Sequence, residues 1–225
     1  MARIVSPIGF ITGKLGDLVF KKRGGINYIT KAPRPHKPTK DPVVKERRSK
    51  FAWVGKFASA VSSIPILKAI WIPESSRSVS PFNKIFKQIY RHIIGAGISG
   101  VPNFVPLGSI SLNDSAIIFG KKSIIVEIDL PKTAGIDPKV ETSVLAAGIM
   151  VLTDPLEEQF PNDIFMPVQS AKIPVVLNDT SLFKISLTGL DLIKSSHYRT
   201  KKVWLTLVTI NASGKPVHYS EIISS

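Results

Sequence analysis

The sequence predicts an α+β protein in three parts. These are an N-terminal β-hairpin with an extended basic arm (1–42), a two-helix segment (43–98) and a C-terminal all-β sandwich of the immunoglobulin or fibronectin type (99–225). Three observations predict this class. Apolar residues alternate around a glycine pair near the N-terminus, and helical apolar spacing follows from residue 41 to residue 93. The remainder consists of short alternating segments separated by Pro, Gly, Asn and Asp.

The hairpin is predicted from apolar residues at alternate positions around a basic glycine turn, residues 22–25: Leu18, Phe20, Ile26 and Tyr28. Gly24 and Gly25 accept the positive φ that a tight turn requires. An isolated two-stranded hairpin is only marginally stable in water. We therefore expect the four apolar side chains to share one face and to rest on another surface, either this chain's helices or a second molecule.

The arm is predicted from prolines that hold the backbone near polyproline II: Pro33, Pro35, Pro38 and Pro42. Cations recur at every third residue of the same segment: Lys31, Arg34, Lys37 and Lys40. Polyproline II has three residues per turn, so these cations project from one edge over roughly 28 Å. Such a stripe suits an acidic groove or a phosphate backbone. The alternative is a solvated, semi-rigid linker.

Two helix starts combine an N-cap acceptor with a proline at the first helical position, Asp41-Pro42 and Ser80-Pro81. Apolar residues follow at helical spacing: Val44, Phe51, Val54, Ala58 and Val61 in the first helix, with Trp53 and Phe57 beside them, and Phe82, Ile85, Phe86, Ile89, Tyr90 and Ile93 in the second. We expect the aromatic residues of the second helix to be core and to pack the two helices together. Pro65 is expected to end or kink the first helix, and Gly95 and Gly97 to stop the second.

Cations crowd the first turns of the first helix: Lys45, Arg47, Arg48 and Lys50. The macrodipole is positive at a helix N-terminus, so cations are disfavoured there. An external anion would relieve the conflict, which favours contact with a partner.

Seven strands are predicted after residue 101: 115–119, 123–130, 144–153, 172–178, 182–188, 202–211 and 216–223. In the sixth strand Val203, Leu205 and Leu207 should lie on one face, opposite Trp204, Val208 and Ile210. The last two strands flank a hairpin turn at residues 212–215. This number of short strands fits an immunoglobulin- or fibronectin-like sandwich.

The charge is unevenly distributed. The net charge is +14, yet residues 1–100 hold 19 Lys and Arg against four acids, and residues 101–225 hold 11 against 12. Such asymmetry points to nucleic acid, an anionic surface or an acidic partner. An apolar content of 44% is high for so basic a chain and indicates contacts between subunits.

The composition excludes several classes of site. The chain has no cysteine, which excludes disulfides and thiolate metal sites. No secretory signal and no run of about 20 apolar residues is present, so no membrane span is expected. We expect synthesis in the cytoplasm, with a virion as a candidate destination.

Motifs for catalysis or cofactor binding are weak. Residues 95–100 match the dinucleotide-binding fingerprint, but a helix precedes them and Val101-Pro102 follows, so a helix stop and hinge is the better interpretation. Residues 9–15 are one residue short of a phosphate-binding loop. The four histidines (His36, His92, His197 and His218) lack metal-ligand spacing, and a triad of a serine with His197 and Asp191 has no support beyond composition. No catalytic residue, cofactor, metal or small-molecule substrate is therefore predicted.

The opening of the chain resembles that of a Bacteroidota family with a domain of unknown function. The resemblance rests on residues 13–20, the basic proline-containing arm 31–42, residues 47–51 and the helix start at 80–83. It implies a hairpin, a basic arm, helices and a C-terminal β-sandwich, and a bacterial or bacteriophage source. Similar openings occur in proteins encoded beside phage virion genes. The chain departs from the family pattern at residues 41–43.

These observations favour a non-enzymatic structural subunit of a virion-like or filamentous assembly, which forms homo-oligomers or binds other assembly subunits. The alternative is a nucleic-acid-binding protein that uses the basic arm on phosphates. A ligand- or carbohydrate-binding sandwich ranks third. The residues predicted to contact the subunit or nucleic acid are Leu18, Phe20, Lys21, Lys22, Arg23, Tyr28, Lys31, Arg34, Lys37, Lys40, Arg47 and Arg48.

Overall fold

The computed structural model divides the chain into two compact units, Met1–Lys45 and Glu46–Ser225. It describes residues 2–4, 12–23, 25–33, 40–73, 75, 79–93, 101–108, 110, 112, 114–130, 135–177 and 179–225. The helical segment and the β-rich segment, predicted as separate parts, both belong to the second unit apart from the first residues of one helix.

The first unit contains a four-stranded antiparallel sheet rather than a single hairpin. Its strands are β1 (Ala2–Ile4), β2 (Gly13–Leu15), β3 (Leu18–Arg23) and β4 (Ile26–Lys31), in the spatial order β1-β4-β3-β2. Two residues separate β2 from β3, and two separate β3 from β4. Gly16 and Gly25 have φ of 55° and 81° in these turns, which only glycine adopts without strain.

The prediction that Leu18, Phe20, Ile26 and Tyr28 share one face is wrong. Phe20 pairs with Ile29, whereas Tyr28 pairs with Lys21. With a two-residue turn, each even-numbered residue of β3 pairs with an odd-numbered residue of β4. Paired residues lie on the same face of the sheet, so Leu18 and Phe20 share a face with the odd-numbered residues of β4. The two apolar pairs therefore lie on opposite faces of the sheet.

The residues described before the β-rich part include three helices: α1 (Pro42–Ser62), α2 (Pro65–Ile70) and α3 (Pro81–His92). The predicted caps are confirmed. The Asp41 carboxylate accepts from the Val43 N–H at 2.9 Å, and the Ser80 hydroxyl accepts from the Asn83 N–H at 3.3 Å. Pro65 separates α1 from α2 as expected. The predicted stop and hinge at residues 95–100 lie outside the described residues.

The second unit also contains nine strands and a fourth helix within its described part. They are β5 (Asp114–Phe119), β6 (Ser123–Asp129), β7 (Glu141–Pro155), β8 (Asp163–Gln169), β9 (Ile173–Pro174), β10 (Thr180–Ser186), α4 (Gly189–Ser196), β11 (Tyr198–Asn211), β12 (Pro216–Tyr219) and β13 (Ile223–Ser224). One sheet has the order β10-β6-β5. The other has the order β12-β11-β7-β8, with β13 paired to β11 and β9 to β7.

Several predicted strands need correction. The strand predicted at 172–178 is only the two residues of β9, and the strand predicted at 216–223 is interrupted at residues 221–222. Strand β8 was not predicted because Pro167 lies inside it. Proline is tolerated there because β8 is an edge strand, which among the described strands pairs only with β7. Helix α4 was missed because it has only eight residues.

Strands β7 and β11 form the centre of the unit because both of their faces are buried. Their alternate residues divide between two cores, one shared with the helices and one shared with the three-stranded sheet. In β11, Val203, Leu205 and Leu207 face the small sheet, and Trp204, Val208 and Ile210 face the helices, as predicted. The unit is thus a layered α+β structure in which the six-stranded antiparallel sheet lies between helices and a second sheet.

Candidate interaction surface

The N-terminal sheet holds seven of the twelve residues predicted to contact a partner. We define its apolar face by residues that the strand register places together: Leu15, Leu18, Phe20, Asn27 and Ile29, with Lys22 and Lys31. Leu15 is 70% exposed and Leu18 is 41% exposed. Phe20 and Ile29 are half-buried and Asn27 is buried, so the exposed apolar part of this face is the pair Leu15 and Leu18.

The opposite face of the sheet carries Lys14 and Lys21. Lys21 and Tyr28, which we expected to act together with Leu18 and Phe20, lie on this face and not on the apolar one. We define this basic face by Lys14, Val19, Lys21, Ile26, Tyr28 and Thr30. Lys14 and Lys21 are exposed, and Tyr28 is half-buried. Arg23, paired with Ile26, occupies a register position on this face. Each face could therefore bind a different kind of surface.

Strand β2 is an edge of the sheet. It pairs only with β3 in the described part of the chain, and its residues Gly13–Leu15 are all exposed. An edge strand presents unpaired backbone N–H and C=O groups that a strand of another molecule can join. The exposed edge lies beside Leu15, so apolar and backbone contacts can be made together.

The basic arm is only partly described. Lys31 and Lys40, the two ends of the predicted cation stripe, are exposed. Arg34 and Lys37, with Pro35, Pro38 and His36, lie outside the described residues.

The cations at the start of α1 are placed as the sequence predicts. Arg47 and Arg48 are exposed, and the first turn of the helix contains no acidic residue. The Asp41 carboxylate caps the helix. Asp41 and Glu46 are the carboxylates of this stretch, against four cations at residues 45, 47, 48 and 50, so the helix start remains suited to an additional anion.

A second exposed apolar surface, missed by the sequence analysis, lies on the three-stranded sheet. Its outward side carries Ile118, Ile125 and Leu182, with Lys184, and ends in acidic residues that include Asp114 and Glu127. Ile118 and Leu182 are exposed. The sequence of β10 contained a sign of this surface. Ser181, Phe183 and Ile185 are the buried residues of the strand, and Leu182 is an apolar residue at one of the exposed positions between them. We call this surface the outer sheet face.

The residues weighed for catalysis are engaged elsewhere. The Asp191 carboxylate accepts from the Thr188 N–H at 2.9 Å and hydroxyl at 2.7 Å, which closes a capping box. The His197 ring stacks on Phe160 at 4.2 Å, beyond the other end of α4. A triad of His197 and Asp191 is therefore not assembled. Across the described ranges, no group of three or more His, Asp or Glu side chains could hold a metal ion.

Burial perturbs two titratable groups, the Asp163 carboxyl and the Tyr198 hydroxyl. It raises the pKa of the Asp163 carboxyl, against the opposing effects of the Lys56 charge and a hydrogen bond from Trp53. Burial also raises the pKa of the Tyr198 hydroxyl, and the Asp163 charge adds to the shift. The Tyr198 hydroxyl donates to the Pro161 carbonyl, which gives this group a structural role.

None of the helices that the structure describes is long and apolar enough to cross a membrane. No protein-family model matches the chain, and no curated protein sequence matches it. Function is therefore inferred from the surfaces of the molecule alone.

Proposed function

We propose that the protein is a non-enzymatic structural subunit whose N-terminal sheet and basic arm contact neighbouring subunits in a virion-like or filamentous assembly. The apolar face of the sheet carries this proposal. A four-stranded sheet that leaves Leu15 70% and Leu18 41% exposed gains stability if another surface covers them. The adjoining open edge of β2 adds backbone groups that can pair with a neighbour.

The outer sheet face is the proposed receptor on the neighbouring subunit. Ile118 and Leu182 are exposed on it, so its centre matches the apolar face in character. Its acidic end, with Asp114 and Glu127, complements Lys31 at the margin of the apolar face. A contact between two different surfaces is head-to-tail, and such contacts build rings or open filaments.

The body of the subunit is proposed to be an immunoglobulin- or fibronectin-like sandwich. If β5, β6, β7, β8, β10, β11 and β12 are taken as strands A, B, C, C′, E, F and G, the two sheets have the orders A-B-E and C′-C-F-G. The pairs A-B and B-E on one sheet and C-F-G on the other are those of immunoglobulin domains. An experimental structure in which β6 did not lie between β5 and β10, or β11 did not lie between β7 and β12, would contradict this assignment.

Light scattering coupled to size-exclusion chromatography tests the assembly. We expect the full chain to form oligomers whose mass rises with concentration, and the double variant Leu15→Lys/Leu18→Lys to shift toward monomer. Leu190→Lys is the matched control, because Leu190 on α4 is 69% exposed and lies outside both surfaces. A chain that stays monomeric at high concentration, whether or not residues 1–40 are present, contradicts the proposal.

A further variant tests the receptor surface separately. Leu182→Lys should weaken assembly as much as the double variant, whereas Leu156→Lys, in the exposed loop after β7, should not. Assembly that survives Leu182→Lys but is lost in the double variant would place the receptor on another part of the neighbouring subunit.

Nucleic-acid binding by the basic arm is the alternative function. The uneven charge favours it, since residues 1–100 hold 19 cations and four acids. Log affinity should then fall linearly with log salt concentration, with a slope of about −0.7 to −0.9 per phosphate contacted. Lys31→Gln/Lys40→Gln should reduce the slope, because both side chains are exposed at the two ends of the arm. An affinity unchanged between low and moderate salt would exclude this function.

A further inference from the structure

Four aromatic rings form a row on the surface between α1 and α3. Phe86 lies in the middle, with ring centroids 4.8 Å from Phe51, 6.1 Å from Phe82 and 5.7 Å from Tyr90. We call this set the aromatic row. It brings together one residue of α1 and three residues of α3 that recur every four positions, so it follows the axis of α3.

The core explains only part of the row, because Phe86 and Tyr90 pack against the core that the helices share with the six-stranded sheet. Phe86 also contacts Phe51 across the two helices. Phe51 is 61% exposed and Phe82 is 36% exposed, so these two rings form the open part of the row. Because two phenylalanine rings remain open to solvent, the row is available to a partner.

The α1 side of the row is basic. Arg47 and Arg48 precede Phe51 by about one helical turn, with Glu46 as the acidic residue of that helix. The Lys50 ammonium lies 4.4 Å from the centroid of the Tyr90 ring. The cations of α3 occupy helical positions on another side of that helix from the row. Cations of α1 therefore flank the exposed Phe51 ring, which is a combination suited to a polyanion that also carries flat apolar groups.

We propose that the aromatic row binds single-stranded nucleic acid, with bases stacked on Phe51 and Phe82 and phosphates beside the cations of α1. Single strands expose base faces that a duplex keeps stacked internally. An acidic peptide would use the cations but would leave the rings uncovered. The basic N-terminal sheet of a second copy would be repelled. The proposed function in assembly does not depend on this surface, since none of its residues belongs to the N-terminal sheet.

The test is the fluorescence anisotropy of a labelled oligothymidylate of about 16 nucleotides, titrated with the full chain. Phe51→Ala and Phe82→Ala should each weaken binding by about 5-fold to 150-fold, the range for loss of one stacked base. Phe119→Ala is the matched control, because Phe119 is 43% exposed on β5 and lies outside the row. Thermal melting followed by circular dichroism should show all three variants folded.

Competitors identify the ligand chemistry. An abasic oligonucleotide of the same length should compete poorly, and polyglutamate should not compete. Equal competition by the abasic strand would show that the phosphates alone account for binding, and it would overturn the proposed stacking of bases. Equal competition by polyglutamate would indicate an acidic protein partner and overturn the proposal. Binding lost in Lys14→Gln/Lys21→Gln but retained in the aromatic variants would also overturn it and would move nucleic-acid binding to the N-terminal sheet.

Discussion

The hydroxyl of Tyr198 donates a hydrogen bond of 2.8 Å to the carbonyl oxygen of Pro161. The bond ties the first residue of β11 to the loop that precedes β8. Next to it, the His197 carbonyl accepts from the Leu156 N–H at 2.9 Å, and the His197 ring stacks on Phe160. Three contacts of different kinds thus hold this loop against the start of the central strand.

Tyr198→Phe should lower the free energy of unfolding by about 1 kcal/mol, because it removes the hydroxyl and leaves the Pro161 carbonyl without that donor. Urea denaturation at neutral pH measures the change. Tyr90→Phe is the control, since no described group bonds the Tyr90 hydroxyl and its ring contacts are kept. Equal stability of the two variants would show that water replaces the lost bond at no cost.

The alkaline limb of the stability profile should also depend on Tyr198. Burial, with the charge of Asp163, raises the pKa of its hydroxyl above the value of about 10 found in unfolded chains. The folded state then holds the Tyr198 proton more tightly than the unfolded state does. The stability that this adds is fully present below the unfolded pKa of about 10, and it is lost as pH rises through the folded pKa. Urea denaturation across this range should show a shallower decline for Tyr198→Phe. An unchanged slope would contradict the assignment.

The free energy of unfolding of Asp163→Asn, relative to that of the native chain, should rise as pH rises from acid to neutral. Burial raises the pKa of Asp163, so the folded state favours the protonated form, and stability is lost as pH rises through the folded pKa. Asparagine cannot ionise and can still accept a hydrogen bond from Trp53. Urea denaturation at both pH values tests this. Asp154→Asn, at an exposed pair 3.9 Å from Arg199, is the control, and a stability difference independent of pH would refute the prediction.

Gly148→Ala should destabilise the fold by more than about 2 kcal/mol. An added Cβ would lie 1.9 Å from the Trp204 carbonyl oxygen and 2.8 Å from the Leu205 Cα, both backbone atoms of the adjacent strand β11. Strands β7 and β11 would have to separate. Gly189→Ala, at the first residue of α4 with nothing within 4 Å, should be neutral or stabilising by up to about 1 kcal/mol. Thermal and urea melts compare the two, and full stability of Gly148→Ala would mean that the strands are spaced differently.

Glu141→Ala should cost about 1.5 to 3 kcal/mol. The Glu141 side chain is 1% exposed, and its Oε1 accepts from the Asp137 N–H at 2.9 Å and contacts the His218 Nδ1 at 3.1 Å. Its removal would leave the Asp137 N–H in the turn before β7 and the His218 ring in β12 without this hydrogen-bond partner. Glu158→Ala, at an exposed loop position, should leave the urea midpoint unchanged. A similar midpoint for both variants would show that the buried carboxylate adds no net stability.

The candidate site shows how far the sequence pattern reaches. Leu18 and Phe20 were expected to be apolar contact residues, and they do share a face of the N-terminal sheet. Tyr28 was assigned to the same face and lies on the other, because strand register depends on where the turn closes. Leu15 was not expected to contribute, since nothing in its own segment indicated the pairing of β2 with β3.

The sequence by itself determined the local features: the caps at Asp41 and Ser80, the turn that contains Gly214 with φ of 77°, and the alternation of β11. Each depends on atoms only a few residues apart. The tertiary structure alone decided which strands share a sheet, that β7 and β11 are covered on both faces, and that Phe51 remains at the surface. Those outcomes depend on residues distant in sequence, whose packing decides which apolar side chains lose contact with water.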